Sequence, residues 1–329
     1  MFMPHAYSVA LGLMILSMFS WGSWPNTQKA TGSWRFELFY WDYVCGILLC
    51  AVVVGITFGR TNAASLDSFF NNLRIASLRS VGLAFLGGAV FNLANLLLVA
   101  AIAIAGMAVA VPIGIGLALI IGSVLNYLIT PAGNPSCLFG GIFLVVVAIV
   151  FDAKAYKRVS GPTQLTTRGI VLSLLCGVVM GLFYPFVAKA LKGPGHLTPY
   201  TVAFVFAIGV VVSNFPLNYA FMRRPVTGEP VNFSQYFSSR IPLHMWGILG
   251  GIIWGVGAVT NFVASYAQMV GPATSYALGQ GSTMVSAAWG VFVWKEFRNS
   301  DRKATVLLVL MFVCFLGGLS LVAVAPLMK

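Results

Sequence analysis

The chain has 329 residues, of which 59% are hydrophobic and only 8% are charged, and its mean hydropathy is +0.92. Soluble domains carry about 25% charged residues, so this composition excludes a soluble domain and indicates an integral membrane protein. The net charge of +12 comes from basic residues in short segments between apolar stretches. In such segments they orient a chain in the bilayer rather than bind nucleic acid.

Apolar stretches of about 20 residues recur along the chain, and an α-helix of that length crosses ~30 Å of hydrocarbon. The alternating pattern of a transmembrane β-barrel is absent. We therefore predict an all-α transmembrane protein with ten helices, at residues 7–28, 38–58, 80–103, 106–129, 136–152, 169–190, 199–221, 242–267, 272–294 and 304–325. The first stretch lacks the features of a cleaved signal peptide, so we predict that it is retained.

The distribution of basic residues predicts the orientation of these helices. Thirteen of the 19 Lys and Arg residues fall on one side of the predicted bundle and six on the other. The positive-inside rule then places both termini outside. The three arginines between the second and third helices, Arg60, Arg74 and Arg79, oppose this assignment.

Similar segments recur in the same order, offset by 160 to 165 residues. They are WPNTQK at 24–29 and YPFVAK at 184–189, Gly87-Gly88 and Gly250-Gly251, and the set Gly106, Gly114, Gly116 and the set Gly271, Gly279, Gly281. They predict two five-helix repeats, residues 1–152 and 169–329, joined by a cytoplasmic linker at 153–168. An odd number of helices per repeat inverts the second copy, and inverted repeats are typical of secondary transporters that bind substrate near the bilayer midplane.

Proline and amide side chains inside apolar helices indicate where a cavity lies. Pro25 and Pro185 are predicted to bend their helices around it, because proline removes a backbone hydrogen bond. An amide can bind a neutral polar ligand or hold two helices together. The candidates for substrate binding are Trp24, Asn26, Gln28, Asn92, Asn95, Tyr184, Asn261 and Gln280, with Trp24 and Tyr184 as stacking surfaces. Asn214 and Asn218 are predicted to hold helices together or to cap a loop.

Few charges fall within the predicted helices. Asp42 is the one acid that we place well inside a helix, which makes it the candidate for proton coupling. A Lys29–Asp42 pair is predicted to close the inner side of the cavity, and Lys189 is the counterpart of Lys29 in the second repeat. The other acids, Glu37, Asp152, Glu296 and Asp301, are interpreted as loop or interface residues.

Several classes of protein are excluded by missing patterns. The three histidines do not cluster and the five cysteines have no metal or disulfide spacing, so we expect no metal. No nucleotide-binding motif and no hydrolase constellation occurs, so we expect neither a cofactor nor an enzyme. A receptor or lipid-handling scaffold would not need the amide-rich repeats, so the sequence does not favour either. An exporter of cations would need an acid at mid-depth in the first helix, and none occurs there.

The residues resemble those of the drug/metabolite transporter superfamily, and within it the ureide permeases, over nearly the whole chain. The glucose/ribose porters and the rhamnose–proton symporter are related. The resemblance rests on Gly22-Ser23-Trp24-Pro25, Asp42 between Trp41 and Tyr43, Gly87-Gly88 followed by Asn95, Asn126-Tyr127, Arg224-Pro225, Gly228, Asn261, Gln280, Trp289-Gly290 and the segment from Lys295 to Arg298.

The resemblance implies uptake of nucleobase, nucleoside or ureide compounds such as uracil, xanthine and allantoin, with protons as the coupling ion of that family. The sugar-transporting relatives imply a monosaccharide instead, and Lys29 after the first-helix proline is more like them. The short linker between the two repeats is like that of a bacterial member. The expected partners are the substrate and the lipid bilayer, with or without protons, and the protein is expected to be a monomer or homodimer.

Overall fold

The computed structural model describes residues 1–60, 68–160 and 166–328. In these ranges every regular element is helical. The α-helices are α1 (Tyr7–Ser23), α2 (Pro25–Ala30), α3 (Phe36–Thr57), α4 (Phe69–Ile75), α5 (Leu78–Ala105), α6 (Met107–Ile129), α7 (Pro135–Ser160), α8 (Thr167–Ala190), α9 (Pro199–Arg223), α10 (Phe233–Phe237), α11 (Ile241–Tyr266), α12 (Pro272–Gly279), α13 (Ser282–Ala288) and α14 (Arg302–Val324). A π-helix, Trp289–Val293, follows α13, and a 3₁₀-helix, Ala325–Leu327, follows α14.

Eight helices are long and apolar enough to cross a membrane, namely α3, α5, α6, α7, α8, α9, α11 and α14. The prediction of ten unbroken helices is wrong for the first and the ninth. The stretch 7–28 is divided at Trp24, because Pro25 has no N–H with which to continue the hydrogen-bond ladder of α1. The stretch 272–294 is divided at Gln280 and Gly281 into α12, α13 and the π-helix.

Other departures concern helix ends and prolines. The helix predicted at 136–152 extends to Ser160, and the short helices α4 and α10 in the loops were not predicted. Pro185 lies inside α8, which continues to Ala190 without a break. The sequence predicts a bend at each proline. At Pro25 the helix is instead divided into α1 and α2, whereas Pro185 does not interrupt α8.

Close helix packing depends on glycine. A Cβ on Gly251 of α11 would overlap the carbonyl oxygen of Tyr43 in α3, and a Cβ on Gly88 of α5 would overlap that of Phe206 in α9. Helices in lipid approach closely through such small residues, because backbone atoms can then touch. These contacts bring α3 against α11 and α5 against α9, while α7 packs against α14 and α8 packs against both α5 and α6.

An aromatic cluster lies at the centre of the bundle. The Trp254 ring stacks on Phe91, with centroids 4.2 Å apart, and on Trp21, with centroids 5.9 Å apart. Phe183 contacts Phe91 edge to face on the opposite side. These four rings come from α11, α5, α1 and α8, so they join helices from both halves of the chain.

Candidate functional site

A cavity of about 370 Å³ extends from one end of the bundle to the central aromatic cluster. Trp21, Phe91, Phe183 and Trp254 form its inner end. Its mouth lies at Lys29 and Glu296, whose side chains are 43% and 30% exposed. Ligand pockets for small molecules measure about 300–1,000 Å³, so the cavity has room for one small metabolite.

Both broken helices border this cavity. Trp24, Pro25, Asn26 and Gln28 line it from the junction of α1 and α2, and Gln280 lines it from the junction of α12 and α13. Irregular backbone at membrane depth is tolerated where it is buried in protein or faces a water-filled cavity. The two breaks therefore place polar side chains in the wall of the cavity, where they can contact a ligand.

The amides at the cavity differ in whether they already have partners. Asn26 is engaged on both sides, since it donates to the Ser23 carbonyl (2.9 Å) and accepts from the Trp294 indole (2.6 Å). Asn95 donates to the Tyr40 hydroxyl (3.1 Å) and lines the cavity. The side chains of Gln28 and Gln280 make no hydrogen bond to any residue that the structure describes. These two amides are therefore free to bind a ligand.

Asn92 does not line the cavity. It is fully buried, and its amide nitrogen donates to the Ser213 hydroxyl of α9 at 3.0 Å. Its spacing from Asn95 predicted one shared face, but three residues in a helix leave about 60° between two side chains. That angle is enough to point Asn95 into the cavity and Asn92 into the contact between α5 and α9. In this state Asn92 holds two helices together.

Tyr184 and Asn261 lie beyond the inner end of the cavity, in a fully buried hydrogen-bond network. The Tyr184 hydroxyl donates to Asn261 Oδ1 at 2.5 Å. Asn261 Nδ2 donates to Ser17 Oγ (3.1 Å) and to the Ser275 carbonyl (2.9 Å). The network joins α8, α11, α1 and α12. We call Tyr184, Asn261, Ser17 and Ser275 the seal, because they close the bundle on the side opposite the cavity mouth.

The predicted Lys29–Asp42 pair is wrong. Lys29 forms an ion pair with Glu296 at the cavity mouth, and its ammonium group lies 4.4 Å from the centre of the Trp294 ring. Asp42 is buried and does not line the cavity; it accepts from the Tyr236 hydroxyl (2.6 Å) and contacts His244 Nδ1 (2.7 Å). Sequence spacing could not distinguish Glu296 from Asp42 as the partner of Lys29. Lys189 is exposed and lies outside the cavity lining.

The contact with Asp42 anchors α10, which lies in the loop between α9 and α11. Partial burial and the neighbouring carboxylate raise the pKa of the Tyr236 hydroxyl above its ordinary value. The hydroxyl therefore stays protonated and donates a hydrogen bond to Asp42 throughout the physiological pH range. Asp42 fixes the loop to α3 and α11 rather than facing the cavity.

Asp152, Tyr156 and Glu296 are cavity residues that the sequence did not indicate. Asp152 had been interpreted as a loop or interface residue because the apolar stretch ends there. The helix continues for two more turns, and the segment AKAYKR at 153–158 contains good helix formers that signal the extension. Among the described residues, no group of three or more His, Cys, Asp or Glu side chains is placed to hold a metal ion.

Comparison with known proteins places these features in a family. A family model described as "Sugar transport protein" matches residues 43–325. Ureide permease 1 of Arabidopsis thaliana is 26% identical, over 100% of this chain and 98% of that protein. A Listeria monocytogenes protein named for sugar uptake is 24% identical, over 81% of this chain and 86% of its own length.

One solved crystal structure, 13% identical in sequence, has a TM-score of 0.63 and covers 95% of this chain and 98% of its own. At this identity the likeness is one of fold alone. The family match spans most of the chain, and the apolar helices agree with it. The protein therefore belongs to the sugar transport protein family and is a multi-pass membrane transporter.

Proposed function

We propose that the protein is a secondary transporter that takes up a small, neutral, polar metabolite of the nucleobase, nucleoside or ureide type. The observation that carries the proposal is the cavity between the two broken helices, where the amides of Gln28 and Gln280 have no described partner beside a cluster of aromatic rings. Amides both donate and accept, so they match the adjacent N–H and C=O groups of oxo-heterocycles. Permeases named for ureides are among the relatives of this chain.

The cavity suits a flat ring. Trp24 is partly exposed to the cavity and offers an aromatic face for stacking, and the amides of Gln28, Asn95 and Gln280 surround the same space. Each hydrogen bond to a ligand contributes about 0.5–1.5 kcal/mol net, so two or three of them contribute about 1–4.5 kcal/mol of binding free energy, to which stacking adds. The only ion pair at the mouth in the described chain, Lys29–Glu296, is internally neutral, which agrees with an uncharged substrate.

Two inverted five-helix halves, residues 1–152 and 169–329 with a linker at 153–168, support transport by alternating access. Gly106 and Gly271 precede α6 and α12 with positive φ values of 73° and 81°. Equivalent glycines also make equivalent close contacts. A Cβ on Gly46 of α3 would overlap the backbone of α11, and a Cβ on Gly209 of α9 would overlap the backbone of α5. This pattern of contacts is the one expected when a second half repeats the first in the opposite sense.

Alternating access requires a cavity open on one side and closed on the other. The cavity mouth lies on the side that carries the larger share of basic residues, so the positive-inside rule makes this the cytoplasmic side and places both termini outside. The seal closes the outer side. The structure then corresponds to an inward-open state, in a bacterial inner or plasma membrane.

A monosaccharide is the second candidate substrate. Its support comes from the family description, from the relative named for sugar uptake and from Lys29 after Pro25. Aromatic rings stack on a sugar face as they do on a heterocycle, and amides bind sugar hydroxyl groups. The cavity volume admits either class.

A thermal-shift screen of the purified protein tests the proposal. The panel contains uracil, xanthine, hypoxanthine, allantoin, nucleosides, glucose, ribose, xylose and rhamnose. A ligand that binds only the folded state stabilises it by RT ln(1 + [L]/Kd), which is about 2.7 kcal/mol at a hundredfold excess over Kd. We expect a shift with planar lactams, ureides or nucleosides. A shift with a monosaccharide alone would refute the heterocycle assignment and favour the second candidate.

A matched pair of variants locates the binding site. Gln280→Leu removes the free amide in the cavity, whereas Gln268→Leu makes the same change at an exposed position outside the cavity lining. We expect Gln280→Leu to weaken ligand binding about tenfold, the loss of roughly one hydrogen bond with its partner left unpaired. Equal affinities in the two variants would contradict this location of the site.

A further inference from the structure

Asp152 is a buried carboxylate in the wall of the cavity. It lies about 25 Å along α7 from its first residue, Pro135, and so within the part of the helix that crosses the membrane. Its side chain is only 8% exposed and borders the cavity. Its Oδ1 atom has no hydrogen-bond partner among the residues that the structure describes. A buried polar atom without a partner is unusual, and in the wall of a cavity a bound water, ion or proton can satisfy it.

Two polar side chains that line the same cavity, Tyr156 and Lys29, are already committed to another acid. Tyr156, one turn further along α7, donates its hydroxyl to Glu296 Oε2 at 2.8 Å. Lys29 of α2 pairs with Glu296 Oε1. Neither donor reaches Asp152 in the described structure. The site thus contains two carboxylates and one ammonium group, which leaves one negative charge without compensation if both acids are ionised.

The remaining charged groups on the helices packed against α7 do not neutralise Asp152. On α7 itself Lys154 and Lys157 are exposed, and Arg158 forms an ion pair with Asp301 at 2.7 Å, before the start of α14. Arg302 and Lys303 at the start of α14 are exposed. The titratable side chain on α6, Tyr127, belongs to the opposite end of that helix, close to its last residue, Ile129.

An ionised carboxylate in this position is costly. Burial without a hydrogen-bond partner disfavours the charged form, and the neighbouring Glu296 carboxylate disfavours it further. A proton on Asp152 removes the unbalanced charge and turns the side chain into a hydrogen-bond donor. A proton is also the smallest ligand that removes this charge, and it leaves the substrate cavity unfilled.

We propose that Asp152 is the site at which this transporter binds a proton, held in the cavity wall beside the Glu296–Lys29 ion pair; this rests on the proposed function as a secondary transporter. In the state with the open mouth, Asp152 exchanges its proton with water in the cavity. The protonated side chain is neutral, so it can be enclosed when the mouth closes, whereas the ionised one resists enclosure. Closure is thereby linked to proton occupancy.

Asp42 does not fulfil this role. Two donors, Tyr236 and His244, already satisfy its carboxylate, and it lies outside the cavity lining. A proton on Asp42 would break contacts that hold the α10 loop. The acid suggested by the sequence therefore has a structural task. Of the two acids in the cavity wall, Glu296 is paired with Lys29 and Tyr156, and Asp152 is the one whose Oδ1 has no described partner.

Transport in proteoliposomes separates proton coupling from substrate binding. Radiolabelled uracil and allantoin are the probes, and Asp152→Asn is the test variant. With equal pH and equal substrate on both sides, exchange of labelled for unlabelled substrate needs no net proton movement. We expect Asp152→Asn to retain exchange and to lose accumulation driven by an inward proton gradient. Asp152→Glu, which keeps a carboxyl group, should restore part of the accumulation.

Asp301→Asn is the matched control. Asp301 is exposed, and asparagine can still cap α14 as the aspartate does, so this variant should accumulate substrate like the parent. Accumulation by Asp152→Asn at the parental level would overturn the proposal. Loss of exchange together with accumulation, in a variant that still folds, would also overturn it, because Asp152 would then be a substrate ligand.

A second measurement does not depend on the substrate. Infrared difference spectra of the purified protein, recorded between two pH values, report the C=O stretch of a carboxyl group that gains a proton. We expect a band from a buried carboxyl in the parent and in Asp301→Asn, and its loss in Asp152→Asn. An unchanged band in Asp152→Asn would refute the proton site. If the parent transports neither probe, but the band is present in the parent and lost in Asp152→Asn, the proposed substrate class fails while the proton site stands.

Discussion

The seal at Tyr184 and Asn261 offers the sharpest test of alternating access. Tyr184→Phe removes one hydroxyl group, which donates to Asn261 Oδ1 at 2.5 Å between α8 and α11. The Ser275 hydroxyl lies 2.9 Å from the Asn261 carbonyl oxygen and 3.1 Å from Asn261 Oδ1, so its single proton can turn to Oδ1 when the Tyr184 hydroxyl is removed. The variant therefore loses one hydrogen bond without creating a buried orphan. The ring itself remains, so its packing against Phe262 and Tyr276 is kept.

The expected magnitude follows from that single bond. A net contribution of about 1 kcal/mol corresponds to roughly a fivefold change in an equilibrium constant. If the seal opens when the transporter faces outward, Tyr184→Phe raises the population with an opened seal about fivefold. Transport should survive, because no group that lines the cavity has changed. A much larger effect would mean that the whole network had collapsed.

Hydrogen exchange of α12 measures this population. Every residue from Pro272 to Gly279 is buried, so its backbone amides exchange when the seal opens. We expect exchange of the α12 amides to quicken about fivefold in Tyr184→Phe. Tyr127→Phe is the control, because the Tyr127 hydroxyl makes no hydrogen bond to a described residue. The same exchange rate in Tyr184→Phe and the parent, or an equal increase in Tyr127→Phe, would refute the seal.

Three further predictions concern helix packing, the candidate site and the α10 loop. Gly251→Ala should destabilise the protein by about 1–3 kcal/mol, because its Cβ overlaps a carbonyl oxygen of α3, whereas Gly140→Ala meets open space and should leave the melting temperature unchanged. Asn95→Ala should weaken ligand binding about tenfold, while Asn92→Ala should lower the melting temperature with little change in Kd; calorimetric binding and unfolding measurements separate the two. His244→Ala removes one contact of the buried Asp42 carboxylate and should speed limited proteolysis of the α10 loop. An unchanged cleavage rate would count against the role of Asp42 in anchoring this loop.

The sequence predicts the long helices well because each needs about 20 apolar residues and little else. Eight of the ten predicted stretches are single long helices. The break at Pro25 is also predictable, since proline cannot donate a backbone hydrogen bond. The break at Gln280 and Gly281 is not, because glycine is frequent throughout this chain and most of its glycines lie within helices that continue.

The candidate site is harder to predict, because whether an amide faces a ligand depends on the helix opposite. Asn92 and Asn95 are equally polar and nearly on one face, yet only Asn95 lines the cavity. Asp152 and Glu296 are remote in sequence, and only the packed bundle brings them to one wall. A single sequence reports which side chains are polar, but the neighbours that satisfy them come from the other half of the chain.

The two halves also differ in where their helices are broken. Their sequences do not reveal this difference, because both halves carry a proline at the matching position. α1 and α2 are broken at Pro25, whereas α8 passes through Pro185 as one helix. The broken ninth segment packs against α1, and its counterpart α6, with Pro112 inside it, is continuous and packs against α8. The breaks thus occur on the pair of segments that leads to the open mouth, whereas the continuous pair lines the cavity wall through Val111, Pro112 and Phe183. The continuous α8 also contributes Tyr184 to the seal. In an inverted repeat, equivalent segments must take up different conformations for one side to be open while the other is closed, so this difference between the halves supports the proposed inward-open state.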